Sequence, residues 1–93
     1  MSMSELKRAI SDQFDCDSMW LNAEHVEEEW RGVSVWRGDV QVFTLLGRLD
    51  SQIAFAWSYT RKDGAQQVVV IRQSATVASA ADAVRAAIAA GTV

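Results

Sequence analysis

The chain has 93 residues, 49% of them apolar and 23% charged, which gives one domain (residues 1–93) with one modest core and excludes intrinsic disorder. A single cysteine excludes an internally stapled secreted scaffold, and zero prolines with five glycines leave no linker. The net charge of −3 divides unevenly: residues 1–29 hold two basic and eight acidic residues (−6), residues 30–93 seven basic and four acidic (+3). A basic excess this thin is a weak footprint for a duplex-binding protein, which needs clustered cations to displace counterions.

The first predicted element is a helix. Ser2 and Glu5 have capping-box spacing, and Met3, Leu6, Ile10 and Phe14 recur as one apolar stripe. Asp15-Cys16-Asp17-Ser18 ends it, because acids oppose the dipole at a helix C-terminus. Residues 19–31 admit two readings. Met19, Ala23, Val26 and Trp30 share a helical face, whereas Val26, Glu28 and Trp30 alternate as a strand does. The β pattern downstream selects a strand from about Glu24. An echo follows, Trp30-Arg31-Gly32 then Trp36-Arg37-Gly38, which reads as two glycine-bearing turns or bulges. Asp39–Leu46 is a strand with Val40 and Val42 on one face and Phe43 and Leu45 on the other, as expected where both faces are covered. Gly47–Ser51 forms the next loop.

Gln52–Thr60 and Gln66–Arg72 flank Asp63-Gly64, a favoured pair for a two-residue type I′ turn. That turn pairs Tyr59 with Val68, Trp57 with Val70 and Phe55 with Arg72. It gives one bulky face (Ile53, Phe55, Trp57, Tyr59, Val68, Val70) and one smooth face of Ala54, Ala56 and Ser58 opposite Val69 and Ile71. A last helix enters at Thr76 or Ser79, with Ser79 and Asp82 at capping-box spacing, an Ala81/Val84/Ile88 stripe and Gly91 as C-cap. Its many alanines make it thin, suited to the smooth Ala/Ser face of the hairpin. The order is α-β-β-β-β-α, an antiparallel sheet with N- and C-terminal helices packed on it, in the α+β class.

The run Val35-Trp36-Arg37-Gly38-Asp39-Val40-Gln41-Val42-Phe43, with Leu46-Gly47, Phe55-Ala56-Trp57-Ser58 and Val84-Arg85-Ala86-Ala87-Ile88, resembles a family of uncharacterised small bacterial proteins of mobile elements, including integron gene cassettes. The resemblance covers roughly residues 24–90, and its most specific part is Trp-x-Gly-x-Val-x-Val-Phe. The chain departs from the family after Gly47, where Arg48-Leu49 stands in place of His-Pro. The resemblance implies a bacterial origin and a fold, supports the strand reading of residues 24–31, and carries no catalytic residue across.

Catalytic chemistry has little to stand on. Cys16 lies between Asp15 and Asp17, whose negative charges oppose a nucleophilic thiolate. His25, the single histidine, sits among Glu24, Glu27, Glu28 and Glu29, which favour its protonated form. An EF-hand reading of the acidic segment fails, because Met19 takes a ligand position and Trp20 the required glycine. One histidine is poor for zinc, and no phosphate-binding glycine loop is present. The expectation is therefore no cofactor, no metal and no catalytic residue.

The aromatic residues carry the remaining signal. Four tryptophans are many for so small a core, and Trp, Tyr and Arg dominate binding energy at interfaces. The interface or ligand-binding candidates are Trp30, Trp36, Phe55, Trp57, Tyr59 and Arg72. The leading expectation is a non-enzymatic interaction module, self-associating as a homodimer through a Trp-rich sheet surface. One alternative is nucleic-acid binding through Arg31, Arg37, Arg61, Lys62 and Arg72, in an element order not far from that of double-stranded-RNA-binding domains. The acidic first third and Asp82 at the start of the second helix argue against it. The other alternative is a small-ligand binder or enzyme with an aromatic pocket built from Tyr59, Arg72 and an acid. With no apolar stretch of membrane-spanning length and no apolar h-region behind the opening Met-Ser-Met-Ser-Glu-Leu-Lys-Arg, a soluble, cytoplasmic protein without membrane partners is expected.

Overall fold

The structure is a computed structural model, and residues 3–47 and 52–91 are described. The elements are α1 (Met3–Phe14), β1 (Ser18–Trp30), β2 (Val33–Leu45), β3 (Gln52–Thr60), β4 (Gln66–Arg72) and α2 (Ala80–Ala90). The four strands form one antiparallel meander in the order β1-β2-β3-β4, so the fold is α+β with the expected α-β-β-β-β-α order. Ser2 and the Arg48–Ser51 part of the expected loop lie outside the described residues.

Residues 19–30 are strand throughout, Arg31 belongs to the turn, and β1 starts at Ser18, earlier than the expected Glu24. A bulge at Leu21 hides the early part from periodicity. The pairs Trp20–Phe43 and Asn22–Val42 bracket one extra β1 residue, so the alternation reverses there. Arg31 and Gly32 close the hairpin with φ of 51° and 77°, a two-residue type I′ turn joining the paired Trp30 and Val33. The second half of the echo is different. The irregularity there is an extra β2 residue, Val35, while Gly38 continues the strand and lies under the Trp36 ring; a Cβ on Gly38 would stand 3.2 Å from it.

The β3–β4 hairpin corrects the expected register by one residue. Its pairs are Tyr59–Gln67, Trp57–Val69, Phe55–Ile71 and Ala54–Arg72. The loop has three residues, not two. Gly64 N–H donates to the Arg61 carbonyl at 2.9 Å and Arg61 N–H to the Ala65 carbonyl at 2.8 Å. Only Gly64, at φ 87°, takes the left-handed region, whereas a type I′ turn needs Asp63 there as well. Asp63 instead accepts the Ala65 N–H on its side chain at 2.9 Å.

That slip exchanges the β4 side chains between faces. One face packs Leu6 and Ile10 of α1 on Phe43, Leu45, Ala54 and Ala56, with Val68 and Val70 at the margin. The other packs Val77 and the Ala80, Ala83, Val84, Ala87 side of α2 on Val40, Val42, Phe55 and Trp57. The alanine-rich helix therefore lies on the aromatic face, not the smooth one expected. Bulky α1 side chains meet sheet alanines, and α2 alanines meet sheet aromatics, so each interface interleaves large with small. Ser79 is the α2 N-cap, accepting the Asp82 N–H at 3.2 Å, while Asp82 accepts from Ala78 N–H at 3.0 Å.

Candidate functional site: the tip of the β1–β2 arm

Pairing between β2 and β3 covers only Gln41–Leu45, so the rest of the long β1–β2 hairpin projects as a two-stranded arm beside α2. Val26 and Trp36 pack toward α2, and Glu28 ties the arm to it through Arg85 Nε at 3.0 Å. Arg85 also reaches Asp82 at 3.4 Å. Beyond this ion pair the tip bares Trp30, Val33 and Val35, which are 65%, 64% and 48% exposed. Arg31 lies over the Trp30 ring at 5.4 Å from its centroid. Between tip and helix runs a groove of ≈ 510 Å³, whose floor is Trp30, Val35, Ile88 and Ala89 and whose rim is Glu28, Glu29 and Arg85.

The sequence candidates separate. Trp30 is on the open surface and Trp36 is half-buried, edge-on to Trp57 with centroids 5.6 Å apart at 72°. Phe55 and Trp57 are core, at 3% and 2% exposure. Tyr59 lies half-buried on the α2 face. The register slip puts Arg72 on the α1 face, with its guanidinium 6.0 Å from the Phe14 ring centroid. The expected grouping of Phe55, Trp57 and Arg72 is thus not formed, and Tyr59 and Arg72 are on opposite faces. Val33 and Val35 were missed as site residues because strand valines read as core; the two-residue turn Arg31-Gly32 directly after Trp30 was the available signal.

The other face of the arm is polar. His25 Nδ1 is 3.0 Å from Asp39 Oδ1 and its Nε2 3.4 Å from Glu27 Oε1, while Glu27 also pairs with Arg37 Nε at 3.0 Å. The Asp39 hydrogen bond, then that of Glu27, raises the His25 pKa above its ordinary 6.5. Cys16 is half-buried against the α1 core, and roughly 20–25 Å of extended β1 separates it from His25. The basic residues do not converge: Arg37 is paired with Glu27, Arg61 with Asp63 at 3.8 Å, Arg31 is at the tip and Arg72 on the α1 face. Among the described residues, no group of three or more His, Cys, Asp or Glu could hold a metal ion, and no helix is long and apolar enough to cross a membrane. Comparison with protein-family models, curated proteins and solved structures finds no match to this chain.

Proposed function

We propose that the protein is a non-enzymatic interaction module that self-associates as a homodimer through the tip of its β1–β2 arm. The observation that carries this reading is the largely exposed Trp30 flanked by Val33 and Val35 beside an apolar groove. Exposed tryptophan in an apolar patch with a polar rim is the composition of an interface centre. Tip and groove share Trp30 and Val35, so a two-fold axis between two tips lays the apolar patch of one copy on the same patch of the other. Glu28 and Arg85 pair with each other within one copy, so Glu29 on the rim and Arg31 at the tip are the charges left to face the second copy, and they are of opposite sign. The surface differs from the Trp-rich sheet expected at first, because the sheet aromatics Phe55 and Trp57 are used in the core. The Trp36–Phe43 segment supports a bacterial mobile-element origin, and the solvent-facing charge supports a soluble, cytoplasmic protein.

Sedimentation equilibrium tests the dimer. A dimer at micromolar concentration that becomes monomeric in Trp30→Ser is expected, with far-ultraviolet circular dichroism unchanged because Trp30 supports no core. A wild-type monomer at high micromolar concentration overturns the reading.

A further inference from the structure

We propose that the free edge of β4 is a binding site for an extended peptide segment with acidic ends, taken up as a fifth strand. This site lies away from the arm tip and stands independently of the dimer.

The register identifies which backbone groups are free. Arg61 N–H donates to the Ala65 carbonyl at 2.8 Å at one end of the β3–β4 ladder, and Gln73 N–H to the Ile53 carbonyl at 2.7 Å at the other. Bonded and non-bonded pairs alternate in an antiparallel ladder. Gln67, Val69 and Ile71 therefore spend their backbone groups on β3, and those of Gln66, Val68, Val70 and Arg72 point outward. One outward carbonyl already has a caller: Gln13 Nε2 lies 3.4 Å from the Val70 oxygen.

The two sheet edges are treated differently. β1 carries Glu24, Glu27, Glu28 and Glu29 and a bulge at Leu21, the devices that keep an edge from pairing. β4 from Gln66 to Ile71 has no charge, no proline and no register shift. Along it runs a groove of ≈ 540 Å³, walled by Gln13 of α1 on one side and by Ala86 and Ala90 of α2 on the other. Those alanines leave room for the alternate side chains of an incoming strand, the usual source of specificity in strand addition.

Charge selects the occupant. Arg72 stands at one end of β4, and Arg61 and Lys62 stand at the other, where Asp63 pairs with Arg61 at 3.8 Å and one net positive charge is left. Pairing β4 with its own copy about a two-fold at Val69 would set Gln66 opposite Arg72, so Arg72 would meet no acid along the paired strands. An apolar strand with an acid at each end meets opposite charge at both ends instead.

The probe is a blocked synthetic heptapeptide of alternating valine and threonine with aspartate at each end, added to the full chain and followed by amide exchange in NMR. Saturable binding that slows exchange of Val68 and Val70 by about tenfold or more, with Val69 little changed because β3 already protects it, is expected. A peptide with lysine at both ends should bind about tenfold more weakly, the worth of two exposed ion pairs. N-methylation of the peptide residues that face β4 should abolish binding, a control that leaves the protein untouched. Val70→Pro should do the same with the β3 ladder intact, since only an outward N–H is lost. Absence of protection at saturating peptide, equal binding of the lysine-ended peptide, or protection that grows with protein concentration alone would overturn the proposal; the last would make β4 a seam between copies.

Discussion

Trp57 brings an indole N–H into the layer beneath α2, where it is buried without an acceptor among the described residues. Its ring meets the Trp36 edge and fills the space that the α2 alanines leave. Loss of ring packing and loss of the unmet N–H therefore contribute with opposite signs. Trp57→Ala should cost about 3–5 kcal/mol through the cavity it opens. Trp57→Phe keeps most of the packing and relieves an unmade hydrogen bond worth about 1–3 kcal/mol, so its loss in urea denaturation should be well under half as large. His25 gives a second residue-level expectation. Its folded pKa lies above its unfolded one, so its contacts with Asp39 and Glu27 stabilise the arm below the ordinary value of 6.5 and fade as pH rises through the raised one. An NMR titration of this single histidine should show a midpoint above 6.5 that falls in Asp39→Asn. An unchanged midpoint in that variant would remove Asp39 as the cause.

The elements show what turn chemistry decides. The Arg31-Gly32 turn fixes the arm register through two left-handed residues, and Gly32 at φ 77° is the one that a side chain would strain. Gly32→Ala should cost about 1–2 kcal/mol and speed amide exchange at the tip first, because the strain is local to the Trp30–Val33 closure. β3, β4, the two faces of β2 from Asp39 onward and both helices were legible because apolar spacing reports them directly. β1 was read from the β pattern that follows it, its own spacing fitting helix and strand alike. Register was not legible. Asp63-Gly64 suits a two-residue and a three-residue loop alike, and the difference lies in the φ of Asp63, which residue type does not determine. That one choice moved Arg72 from Phe55 to Phe14 and dissolved half of the candidate site. The bulge at Leu21 had a similar effect, since it reversed the alternation that would have revealed the start of β1.

At the scale of the whole molecule, one sheet serves two helices, and the size complementarity that places them is a property of pairs of surfaces. A thin helix fits a smooth face or a bulky one, and only the whole set settles it: α1, with Leu6 and Ile10, takes the face of Ala54 and Ala56, which leaves Phe55 and Trp57 for α2. This also explains why the sheet aromatics overstated the site, for Phe55 and Trp57, on the face that looked available, are the bed of a helix. The shared sheet has a consequence for cooperativity. Ile10→Ala opens the α1 side at about 2–5 kcal/mol and Phe55→Ala the α2 side at about 3–5 kcal/mol. A domain of this size holds only about 5–15 kcal/mol in total, so the double variant should sit at or below its folding threshold. Each single variant should still unfold in one step, because a helix that leaves strips the sheet face on which the opposite core depends. Far-ultraviolet circular dichroism and tryptophan fluorescence should then trace coincident denaturation curves in each. Curves that separate in Phe55→Ala, with fluorescence lost first, would show instead that α2 and the arm detach as a unit while α1 and the sheet remain folded.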